Sequence, residues 1–134
     1  MSKLSMIEGI GASYEMKLKE AGIKSVERLL ETCADKKGRD ELAKKTGISE
    51  KLILTWTNHA DLFRIKGVGG QFAELLEAAG VDSVMELAQR KPHNLHEKMM
   101  ETNEKKHLVH RIPTEDQIKN WVKQSEKMPR MIHH

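Results

Sequence analysis

The chain has 134 residues, 32 % of them charged and 4 % aromatic, with a net charge of +3 and a pI near 9.0. That length holds a modest core in one compact domain or two small halves, and the mild basicity excludes a polycationic, histone-like arm. A single cysteine, Cys33, excludes an internal disulfide, no apolar run approaches the roughly 20 residues that span a bilayer, and MSKLSMIEG has no signal-peptide hydrophobic region; a cytoplasmic protein is expected.

In chain order, the first six residues are too few for a stable helix. Gly9-Ile10-Gly11 suits a tight turn with positive φ and bare amides. The next segment is helical by periodicity, with Tyr14, Leu18 and Ala21 at i, i+4 and i+7. Gly22 followed by Ile23 stops that helix, and Ser25 is placed to cap the next one. A loop is expected from Thr32, then a short helix over Arg39 to Thr46 with Leu42, Ala43 and Thr46 on one face. Gly47-Ile48 repeats the glycine stop, Ser49 caps, and Leu52, Ile53, Trp56 and Ala60 form the stripe of a helix that runs up to Leu62 and Phe63.

From there the text repeats. IEGIGASYEMKLKEAGIKSVERLLE at 7–31 returns as IKGVGGQFAELLEAAGVDSVMELAQ at 65–89, an offset of 58. Gly67-Val68-Gly69 matches the first turn, Phe72, Leu76 and Ala79 the stripe, Gly80 the stop, and Ser83-Val84-Met85-Glu86 is a capping box. Lys91-Pro92 reads as a stop, Asn94-Leu95-His96-Glu97 as a new cap for a short helix burying Leu95, Met99 and Met100, and Glu104 to His110 as an insertion. Thr114-Glu115-Asp116-Gln117 opens the last helix, whose Ile118 and Trp121 mirror Ile53 and Trp56, and MIHH is expected to fray.

The pattern h-x-G-h-G, a helix, then A-G-h resembles the helix-hairpin-helix superfamily of DNA-backbone-binding modules. The tandem layout with a Trp-bearing closing helix in each half resembles a bacterial family of small proteins of unknown function. The resemblance implies tandem helix-hairpin-helix repeats, about eight short helices in one domain with a pseudo-two-fold internal repeat: a first half over 1–62, a second over 63–128 and a tail over 129–134. The absence of any alternating apolar–polar run independently points to an all-α fold.

Amides at a turn entering a helix bind phosphate without any side chain. The expected function is therefore non-enzymatic, sequence-independent gripping of a DNA (or RNA) backbone, through the amides of Gly67, Val68, Gly69 and Gly70 with Arg64 and Lys66, and more weakly through Gly9, Ile10, Gly11 and Ala12. Members of the superfamily usually place Lys, Arg, Ser or Thr just after the second glycine. Here Ala12 and Gly70 stand there, and Glu8 and Glu15 flank the first turn. Lys36, Lys37 and Arg39 head the densest basic cluster and offer a further phosphate contact, although Asp35, Asp40 and Glu41 interleave as on any solvated face. His93/His96 and His107/His110 have i, i+3 spacing, but an Asn94 cap puts His93 outside the helix of His96, so no metal is expected; no cofactor, small-molecule substrate or membrane partner is expected either. The alternative is a protein-interaction scaffold in which the turns are only structural corners.

Overall fold

The computed structural model describes residues 2–134. Among them the secondary structure is all helical: a 3-10 turn η1 (Leu4–Met6) and eight α-helices, α1 (Ala12–Glu20), α2 (Val26–Thr32), α3 (Lys36–Thr46), α4 (Glu50–Leu62), α5 (Gly70–Ala78), α6 (Val84–Ala88), α7 (Pro92–Lys106) and α8 (Glu115–Glu126). None is long and apolar enough to cross a membrane. The chain divides into two compact units, the first being residues up to Asp61 together with Met131–His134, the second Leu62–Arg130.

In the first unit, α1 ends as its sequence demands. Gly22 takes φ 90°, its amide donates to the Lys19 carbonyl (3.0 Å), and the Ile23 amide reaches back to Leu18 (2.8 Å), burying Ile23 beneath the helix end. The Ser25 hydroxyl then accepts from the Arg28 amide at 3.1 Å and starts α2. Helix α3 begins three residues earlier than its apolar periodicity indicates. Asp35 accepts from the Gly38 amide at 2.8 Å, so the Lys36-Lys37 pair forms a first turn instead of a loop. Ser49 caps α4 through the Leu52 amide (3.2 Å).

The tail does not fray. Ile132 is buried, the His133 amide donates to the Ala34 carbonyl (2.7 Å), and the Arg39 guanidinium donates to the carbonyls of Cys33 (2.9 Å) and His133 (3.2 Å). Ile132, the hydrogen bonds to the backbone of residue 133 and the His134 Nε2–Asn58 Oδ1 contact (3.0 Å) seat these four residues.

In the second unit the local bonds of the first recur at an offset of 58. Gly80 has φ 98°, its amide donates to Glu77 (3.0 Å), the Val81 amide donates to Leu76 (2.9 Å), and the Ser83 hydroxyl accepts from Glu86 (3.1 Å). Helices α6 and α7 both pack on α8, and α5 packs on α7, around buried side chains that include Ile65, Leu76, Val84, Leu95, Met99 and Ile118.

Helix α7 departs from the sequence reading. Pro92 opens it, since a first-turn residue needs no amide hydrogen, and Asn94 lies inside the helix as an exposed residue without a capping role. The helix runs 15 residues to a left-handed His107 (φ 51°), so Glu104 to Lys106 extend it, and Met100 is exposed. The residues beyond are pinned by Asn103, whose side-chain amide both accepts from the Val109 amide and donates to its carbonyl, each at 3.0 Å. Thr114 and Gln117 complete a reciprocal capping box at α8.

Candidate functional site

Each glycine turn is a corner with the same construction. At the second, the Ile65 amide donates to Leu62 (3.1 Å) and the Val68 amide to Ile65 (3.2 Å), which brings the chain round before α5. Gly67 takes φ 98° while Gly69 is extended (φ −101°) and caps α5 with no side chain to contribute. Positive φ therefore belongs to the first glycine of the pair only. The other requirement on Gly67 is spatial: a Cβ there would lie 3.0 Å from the indole Nε1 of Trp121, so the tryptophan packs directly on bare backbone. At the first corner, Gly9 has φ 95° and a Cβ would lie 3.4 Å from Trp56 Nε1. Tyr14 packs edge-on against Trp56 and Phe72 packs tilted against Trp121, at centroid distances of 5.0 Å and 5.4 Å. With 1 % and 2 % of their surfaces exposed, Trp56 and Trp121 are core anchors and present no face to a base.

What the corner leaves open is a row of N–H groups. Among the described residues no acceptor meets the amides of Gly69, Gly70 and Gln71, nor those of Gly11, Ala12 and Ser13 in the first unit. Every other helix with a Ser, Thr or Asp cap spends that side chain on its own amides, at Ser25, Asp35, Ser49, Ser83 and Thr114. The open amides of α5 border a shallow cavity of about 320 Å³ lined by Gly67, Gly69, Gly70, Gln71 and Phe72. The amides of Val68 and Ile10 are taken by the turns themselves, and both side chains are buried.

The Lys66 peptide is held from α8. Gln124 accepts from its amide through Oε1 (2.9 Å), donates to its carbonyl through Nε2 (3.1 Å) and to Asn120 Oδ1 (2.8 Å). This leaves the Lys66 ammonium exposed beside the corner with its backbone fixed. Arg64 is half-buried and donates to the Pro129 carbonyl at 2.7 Å, so part of its guanidinium serves the fold. Gln124 carries no signal in the sequence that would single it out, because its importance depends on where α8 packs.

The predicted residues fall in two places. Arg64 and Lys66 to Gly70 cluster at the corner of the second unit. Gly9 to Ala12, Lys36, Lys37 and Arg39 belong to the first unit. Glu15 stands half-buried in the first turn of α1 and Glu8 is exposed just ahead of Gly9, whereas α5 has no acidic residue in its first turn. The second corner is thus the one with an electrostatic balance that favours an anion. Lys36 and Lys37 are exposed on α3, but Arg39 is buried.

The histidine pairs resolve differently from their spacing. Because α7 starts at Pro92, His93 and His96 share that helix, and the His93 ring is bracketed by Glu115 (Nδ1, 2.8 Å) and Glu97 (Nε2, 3.1 Å). The hydrogen bond to Glu115, followed by the charge of Glu97, lifts its pKa above the ordinary histidine value. Among the described residues no group of three or more His, Cys, Asp or Glu side chains is arranged to hold a metal ion.

No curated protein and no solved structure matches the chain. Residues 8–128 match the family model described as Domain of unknown function (DUF4332).

Proposed function

Because the chain belongs to the DUF4332 family, whose description names no activity, we propose from the geometry that it is a non-enzymatic nucleic-acid-binding module whose two corners are helix-hairpin-helix units. The second corner grips the phosphate backbone of DNA without reading base sequence. The observation that carries this reading is the trio of unclaimed amides at Gly69, Gly70 and Gln71, next to an exposed Lys66 and at the positive end of α5. Anchored by Trp121 behind Gly67 and by Gln124 at Lys66, the donors are held in place before a phosphate arrives, so little ordering entropy opposes binding. The first corner, with Glu8 and Glu15 beside it, is the weaker contact.

Titration of a duplex oligonucleotide at several salt concentrations tests the proposal. Affinity is expected to fall with salt, with a slope of roughly −2 to −4 for a few displaced counterions. Gly69→Glu, at an extended position with open space around it, keeps the fold and sets a carboxylate over the amides; it is expected to lower affinity by at least about tenfold. No binding at about 50 mM salt, or binding indifferent to salt, leaves the corners as packing devices only.

A further inference from the structure

The first unit contains a second cavity, about 360 Å³, lined by Lys36, Arg39, Asp40, Glu50, Lys51, Leu54 and His134. Its unusual member is Arg39. The residue is 5 % exposed, yet its guanidinium meets only two carbonyl oxygens, those of Cys33 and His133, and pairs with no carboxylate among the described residues. Guanidinium has five N–H donors, and a buried cation ordinarily requires a counter-charge. A carbonyl supplies only a partial one. Lys36 and Lys51 are exposed on the same rim and add two long, adaptable cations.

From this we infer that the cavity binds a phosphate-class oxyanion, with Arg39 as the fixed donor at its wall and Lys36 and Lys51 closing over the ligand. Its volume exceeds the roughly 30 Å³ share of one water about tenfold, room for a phosphoryl group with part of its substituent. The two acids on the wall work against an anion. Asp40 Oδ1 is buried with no hydrogen-bond partner, and contact with Asp40, then burial, raises the pKa of Glu50, against the charges of Lys36 and Lys44.

The site is separate from the corners, and a chain that fails to bind duplex DNA can still bind here. The test is a nuclear magnetic resonance titration of the full chain with inorganic phosphate at about pH 7. Saturable shifts at Lys36, Arg39 and Lys51 are expected, with millimolar affinity. The double variant Lys36→Glu, Lys51→Glu is expected to lose about tenfold or more. Both positions are exposed and near helix N-termini, where glutamate is favoured, so folding is retained. Shifts that never saturate, or equal affinity in the double variant, overturn the proposal. A further arm adds a short single-stranded oligonucleotide or a phosphoserine peptide. Shifts at the same residues with the oligonucleotide identify a phosphodiester source, and shifts with only the peptide and inorganic phosphate identify a monoester.

Discussion

Gly67 and Gly69 stand two residues apart in one corner, and the same substitution should have opposite outcomes at the two. An alanine at position 67 must hold φ near 98°, which for a residue with a Cβ costs about 1–3 kcal/mol. Its methyl group would also sit 3.0 Å from Trp121 Nε1, inside the normal contact distance, which adds overpacking of about 1–3 kcal/mol. Gly67→Ala is therefore expected to destabilise the second unit by about 2–6 kcal/mol. At Gly69, φ is −101° and no atom lies within 4 Å of the new methyl, so Gly69→Ala should change stability by less than about 0.5 kcal/mol. Gly9→Ala lies between, with the strained φ but an ordinary 3.4 Å approach to Trp56. Each unit contains one of the two tryptophans, so fluorescence-detected urea unfolding in a Trp56→Phe background follows the second unit alone. With a slope of about 1–3 kcal/mol per molar urea, the Gly67→Ala midpoint should fall by at least about 0.7 M. A Gly67→Ala midpoint at the wild-type value, or a Gly69→Ala loss as large as that of Gly67→Ala, would refute the account of the corner.

The serine caps give a matched pair: Ser25→Ala and Ser83→Ala each remove one helix-capping bond of 3.1 Å and should cost about 1 kcal/mol in their own unit, read by the same unfolding assay. The His93–Glu115 contact makes stability pH-dependent in a defined sense. With the His93 pKa raised above 6.5 on folding, its contribution is complete below that value and disappears as pH rises through the folded-state pKa; with that of Glu115 lowered below 4.5, the complementary loss comes as pH falls through its folded-state value. Thermal melts of wild type and His93→Gln across neutral pH should converge at the alkaline end, and a constant difference would exclude this pairing; the effect is small because the groups are solvated. Cys33 is buried and its thiol is pushed up to about 11 by burial, partly offset by the Thr57 hydroxyl. A disulfide reagent at about pH 8 should label it only through opening of the first unit, and Ile132→Asp, which unseats the tail, should accelerate labelling.

The duplicated stretch made most of the local structure legible in advance. A glycine stop, a serine three residues ahead of the amide that it caps, and an i, i+4, i+7 stripe are relations within a few residues, and the bonds at Gly22, Ser25, Gly80 and Ser83 follow from them. The same local logic reaches its limit at α3 and α7. Asp35 and Pro92 are equally valid helix starters to Arg39 and Asn94 on periodicity, and only packing selects between them.

By itself, then, the sequence determined the helical class and the two glycine corners, because φ preferences and capping bonds are set by residues adjacent in the chain. The tertiary structure alone decided which corner amides remain open, that Arg39 is buried against carbonyls with no carboxylate partner, that Gln124 holds the Lys66 peptide from 58 residues away, and that the last four residues are seated on the first unit. Those outcomes depend on which surfaces meet when distant helices exclude water together, and no spacing along the chain encodes that meeting.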